Sequence, residues 1–165
     1  MPNLRAPILA GTWYPADPAV LARDVDGYIA AAEQGAHDAR LKAIIAPHAG
    51  YRFSGPVAGS AYARVAAIAP RITRVVLVGP SHRHAFEGVA VPTASAFVSP
   101  LGEIALDADG IRDILRLPQV SALDEAHARE HSLEIHLPFL QRVLGDFTLV
   151  PLVVGRTATG AVAEV

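Results

Sequence analysis

The sequence predicts an α/β fold, with a central, mostly parallel or mixed sheet flanked by helices. Three observations lead there. Residues 42–46, 74–78 and 148–154 are apolar, β-branched runs with little polar alternation, the pattern of strands covered on both faces. Stretches of helical periodicity lie between them. Of the 165 residues, 52% are hydrophobic and 18% charged, which suits one domain, 1–165, with a packed core.

The elements follow in order. Residues 18–34 read as a helix, with Asp17 as N-cap and Pro18 at the first helical position. The strand at 42–46 comes next, then a helix at 55–68 entered through Ser54. Strands are expected at 74–78 and 88–91. A helix at 107–115 opens on Asp107 and Asp109, acidic residues suited to the positive end of its dipole. Another, at 132–144, carries Pro138 near its start, so its first turn is expected to stand apart. The strand at 148–154 is central, 155–159 is a loop, and 161–165 begins a helical pattern of about one turn. One turn cannot cover a strand, so the chain is expected to be an amino-terminal portion of a longer protein.

Composition excludes several classes of function. Net charge is −2 and no basic tract exists, so neither nucleic acid nor an anionic membrane surface is an expected partner. No apolar run is long enough for a transmembrane helix, and 1–15 lacks the apolar stretch of a secretory signal. A cytoplasmic, soluble protein is the expectation. With no cysteine, the chain has neither disulfides nor thiolate ligands.

The candidate chemistry rests on histidine. His48 follows the first expected strand and His82 the second, and ligands of open α/β sheets bind beyond the carboxyl ends of strands. Two imidazoles at one sheet edge suit a non-haem metal, and one added carboxylate would complete the two-histidine, one-carboxylate arrangement of Fe(II) oxygenases. The alternative is two loop histidines bonded to backbone carbonyls. Gly50, Gly55 and Gly79 permit close backbone approach, and Ser54–Gly55–Pro56 offers amides at a helix start for an anionic group.

A second concentration, DEAHAREHSLEIHLPF at 124–139, holds His127, His131, His136, Glu130 and Glu134. His127, Glu130 and His131 fit the H-x-x-E-H pattern of inverted zinc peptidases. Alternatively, His131 shuttles protons in the His48–His82 cleft with Glu134 orienting it, or part of the cluster is simply a solvated helix start. Trp13, Tyr14, Tyr51 and Phe53 could stack a planar ligand or anchor loops. Arg52 or Arg83 could meet an anionic one.

AGTWYP at 10–15, APHAGYRFSGP at 46–56, VGPSH at 78–82, TASAFVSPLGEIALD at 93–107 and EHSLEIHLPFLQ at 130–141 occur in this order. The series resembles the Memo family, the protein B component of the AmmeMemoRadiSam group, over essentially the whole chain. Memo proteins are similar to class III extradiol (LigB-type) dioxygenases, so the resemblance implies a LigB-like fold. It implies that His48 and His82 are metal ligands and that His131, Glu130 and Glu134 line the cleft. It implies iron or copper as the metal, with zinc as a further option, and oxygenase or other redox chemistry. Some members are described instead as binding phosphotyrosine peptides, so a small aromatic or anionic ligand is the expected partner. The further His and the Cys that serve as ligands in this family would lie beyond residue 165, so two ligands are expected here and no third.

Overall fold

A computed structural model describes residues 3–32 and 41–165. The end of the expected first helix, at 33–34, lies outside the described residues.

Among the described residues the principal sheet has four strands in the order β2–β7–β3–β6: β2 (Arg74–Pro80), β7 (Thr148–Val154), β3 (Val89–Val91) and β6 (Val120–Ala122). It is mixed: β2 runs parallel to β7 and β3 to β6, whereas β3 and β7 are antiparallel. A smaller sheet orders β1 (Leu4–Arg5), β4 (Ala96–Ser99) and β5 (Gly102–Ala105), with β1 parallel and β5 antiparallel to β4.

The central place of β7 explains its uninterrupted apolar run. Leu149 joins the main core, which includes Phe97, Phe139, Leu21 and Tyr62. Val150 and Leu152 join a second core with Val89, Val91 and Val120. A strand buried on both sides has no use for polar alternation.

Helices α1 (Pro18–Ala30), α2 (Tyr51–Ala66) and α5 (Leu137–Val143) cover the main core. Ile111 and Ile114 of α3 (Ala108–Ile114) pack on the second core. Asp17 caps α1 by accepting from the amides of Ala19 and Val20, both at 2.9 Å. Asp107 caps α3 through the Gly110 amide at 2.7 Å. Pro138 falls in the first turn of α5, directly after a separate 3₁₀ turn at Glu134–His136, as its position predicts. No described helix is long and apolar enough to cross a membrane.

Two expectations are corrected. Residues 42–46 form no strand. Leu41, Ile44 and Ala46 pack onto the main core while Ile45 is 99% exposed, and an open slot of about 640 Å³ lies between this segment and β2. The apolar run is satisfied by core packing without a hydrogen-bonded ladder, a distinction that periodicity cannot make in so short a stretch. The second helix starts at Tyr51, four residues earlier than expected, with Gly50 as its N-cap. Ser54 is therefore inside it, and its hydroxyl donates back to the Ala49 carbonyl at 2.8 Å, tying the helix to the loop that carries His48.

Close packing explains the glycines better than a ligand does. A Cβ on Gly55 would lie 2.6 Å from the Tyr28 ring, and one on Gly59 2.4 Å from the Tyr28 carbonyl oxygen, so both allow α1 to seat against α2. A Cβ on Gly79 would lie 2.6 Å from the Ser132 hydroxyl. Glycine there lets the end of β2 approach the turn bearing His131.

Candidate metal centre

Three segments converge at the carboxyl end of β2. His82 follows that strand by two residues, and the Ser81 amide donates to the Val154 carbonyl at 2.8 Å, so β7 fixes the exit of the loop. His48 comes from the segment before α2. His131 comes from the turn after α4 (Asp124–Ala128), which the Ser132 hydroxyl holds to β2 by donating to the Pro80 carbonyl at 2.9 Å.

His48, His82 and His131 each offer one ring nitrogen, and these atoms all lie within 4.8 Å of one another. Their ring centroids are 5.2 Å apart for His48–His82, 5.9 Å for His48–His131 and 4.4 Å for His82–His131. Metal–imidazole bonds are ~2.0–2.1 Å, so a small inward movement of the rings would place all three on one ion. Such a donor set suits zinc, copper or iron alike.

The third imidazole departs from the expectation of two. So does the carboxylate, since the acid at the cluster is Glu130, behind the rings. Its Oε1 lies 2.9 Å from His82 Nδ1, and its Oε2 accepts from the His82 amide at 2.6 Å. Oε1 also accepts from the amides of His131 at 2.8 Å and Ser132 at 2.9 Å. The useful signal in the sequence was Glu130-His131-Ser132 itself, where a tight turn can fold two following amides back onto the acid.

Burial shapes the ionisation of these groups. It raises the pKa of Glu130, but the hydrogen bonds from the His82 and Ser132 amides, the His82 ring and the His131 amide outweigh it and hold the acid at about 2. His48 and His131 are both lowered, first by burial and then by neighbouring imidazoles, against the pull of Glu130. Neutral rings with available lone pairs are the form that a metal requires.

The remaining candidates lie elsewhere. Glu134 is fully buried, its oxygens taken by Arg5, by the amides of Ile8 and Leu9 and by the Tyr14 hydroxyl. The hydrogen-bonded carboxylate beside the histidines is thus Glu130, not Glu134. The zinc-peptidase pattern is broken, because α4 ends at Ala128 and Glu130 and His131 fall outside it. His127 turns away, its Nε2 3.0 Å from the Ala90 carbonyl oxygen. His136 is buried beside Tyr62, with ring centroids 6.0 Å apart.

Of the aromatic residues, Tyr14 and Tyr51 are buried anchors bonded to Glu134 and to the Ile135 carbonyl. Trp13 packs 4.7 Å from the His131 ring and forms a wall of the site. Phe53 is exposed, with the Arg52 guanidinium over its ring.

Together these features define an α/β protein with a cluster of three imidazoles at the end of its principal sheet. The chain belongs to the Memo-like protein family, whose family model matches residues 5–165. It is 38% identical over 160 residues to a MEMO1 family protein of Methanopyrus kandleri, covering 90% of this chain and 55% of that one. It is 35% identical over 172 residues to a MEMO1 family protein of Methanothermobacter thermautotrophicus, covering 98% and 61% respectively. Protein MEMO1 of Xenopus tropicalis is 35% identical over 152 residues, covering 88% of this chain and half of its own length. The chain thus spans between half and about three fifths of the length of these relatives.

Proposed function

We propose that this protein binds a metal ion through His48, His82 and His131, and that the site serves oxygenase or other redox chemistry on a LigB-like scaffold. The observation that carries the reading is the convergence of three ring nitrogens within 4.8 Å from three separate segments. Iron(II) and copper are the preferred ions, with zinc also accommodated by imidazole donors. The bound metal would supply open positions for a small aromatic or anionic ligand and, if iron or copper, electron transfer. The chain's own residues hold the ion, favour the neutral form of the His48 and His131 rings and wall one side with Trp13. His131 serves as the third ligand in this reading, since its nitrogen belongs to the same group as the other two. Glu134 takes no part in it.

Anaerobic titration with Fe(II), followed by calorimetry, tests the proposal. His48→Ala and His82→Ala should each weaken binding at least tenfold. Unchanged affinity in either variant overturns the assignment.

One observation favours a second reading, a binding module for phosphorylated or carboxylated ligands. Arg83 directly follows His82 in the exit loop and is exposed, so a cation stands near the cluster. Phosphotyrosine binding that survives chelation and both histidine substitutions would favour this reading over the first.

A further inference from the structure

We infer that Glu130 is a positioning residue that fixes the tautomer and direction of the His82 ring, so that Nε2 presents its lone pair to the cluster. The inference rests on the metal-site reading above and adds a group outside the three imidazoles.

Glu130 is almost completely buried and is held from several sides. Its Oε2 accepts from the His82 amide at 2.6 Å, and its Oε1 from the amides of His131 at 2.8 Å and Ser132 at 2.9 Å. These fixed backbone donors leave the carboxylate little freedom to rotate. Oε1 then sits 2.9 Å from His82 Nδ1. A nitrogen lone pair facing a carboxylate oxygen at that distance would be repelled, so Nδ1 carries the proton and donates it. A neutral imidazole has one N–H and one lone pair, which leaves the lone pair on Nε2. Metal-bound histidines commonly donate their other N–H to a carboxylate, which sets the tautomer and aims the ring.

The same acid also couples two of the three segments. By gripping both the backbone and the ring of His82, and the amide of His131, it fixes the spacing between the β2 exit loop and the turn after α4. The ring Nδ1 of His131 lies 3.4 Å from Oε1, buried and without a hydrogen-bond partner, on the side where Oε1 already takes three N–H groups.

The test has two readouts. In metal-free protein labelled with ¹⁵N-histidine, long-range ¹H–¹⁵N spectra should show His82 chiefly as the Nδ1–H tautomer, with its signals assigned by their loss in His82→Ala. In Glu130→Ala the Nε2–H form should gain population, and Co(II) affinity should fall about 10- to 100-fold. A wild-type His82 that is chiefly Nε2–H overturns the inference, as does a folded Glu130→Ala that binds Co(II) within twofold of wild type. Wild-type protein that binds no Co(II) overturns the metal reading instead, and the tautomer still decides what Glu130 does. If Glu130→Ala fails to fold, the wild-type tautomer alone decides.

Discussion

Arg5 and Glu134, 129 residues apart in sequence, form a buried ion pair with Nη1 2.5 Å from Oε2. Arg5 also donates to the carbonyls of His127 at 3.0 Å and Glu130 at 2.8 Å, while Glu134 Oε1 accepts from the Leu9 amide at 2.8 Å and the Tyr14 hydroxyl at 2.7 Å. The pair therefore joins the amino-terminal loop carrying Trp13 to the turn carrying His131. Removing one partner of a buried pair leaves the other charge uncompensated, at a cost of roughly 3–5 kcal/mol. Arg5→Ala should lower stability by that order in urea denaturation. Glu134→Gln should also destabilise, yet its folded form should hold Co(II) within about threefold of wild type. A large loss of affinity in folded Glu134→Gln would give Glu134 a part in the site that its contacts do not indicate.

The two glycines of α2 that face Tyr28 should respond differently to alanine. At Gly59 the new Cβ meets the Tyr28 carbonyl, which cannot yield unless α1 moves, whereas at Gly55 it meets the edge of the Tyr28 ring. Overpacking typically costs about 1–3 kcal/mol. Gly59→Ala should fall at the upper end of that range and Gly55→Ala below it, both read from denaturation midpoints. Equal, negligible effects would mean that the helices separate freely.

Legibility followed the range of the forces involved. Asp17 is legible as a cap because a cap acts within three residues, Asp107 only as an acidic residue at a helix start, and 148–154 because a central strand is apolar throughout. The β4–β5 hairpin, β1 and β6 were not read. They are only two to four residues long, and β1 and β6 pair with segments distant in sequence; beside β1, the Asn3 carbonyl accepts from the Ser95 amide at 2.7 Å. His48 and His82 were legible from their place after apolar runs, although the run before His48 is no strand. Glu130 and Glu134 look alike in sequence, so nothing in it separates the acid beside His82 from the one paired with Arg5. What separates them is which distant donors each carboxylate meets: the His82 loop for one, Arg5 and Tyr14 for the other.

Acid should destabilise the protein through its buried histidines. Burial lowers His127 to about 4, against the pull of the Ala90 carbonyl, and burial followed by the charge of His48 lowers His136 to about 4. An unfolded histidine titrates near ~6.5. Between these values the unfolded state takes up a proton that the folded state refuses. Stability is then full above pH ~6.5 and falls as pH drops toward 4, by roughly 3 kcal/mol per such group once both forms are protonated. His127→Gln keeps a donor for the Ala90 carbonyl and does not titrate, so its urea stability should fall less than that of wild type between pH 7 and 4.5. Parallel profiles for the two proteins would show that His127 is not held neutral.

Paired substitutions at His127 and His131 separate the two metal geometries that the 124–139 segment suggests. On one unbroken helix, His127 and His131 would share a face and grip an ion together. The helix instead ends at Ala128, and the His127 ring is 2% exposed, with its Nε2 on the Ala90 carbonyl. His131 stands with His48 and His82, and its ring lies 4.4 Å from that of His82. His131→Ala should therefore weaken Co(II) binding at least tenfold at little cost to the fold, because its ring is held chiefly by the other imidazoles and Trp13. His127→Ala should do the reverse, losing about 1–3 kcal/mol of stability by removing a buried ring and its hydrogen bond to the Ala90 carbonyl, while metal affinity changes less than twofold. If both substitutions abolish binding together, the ion sits between those two residues and the convergence at the end of β2 is not the metal site.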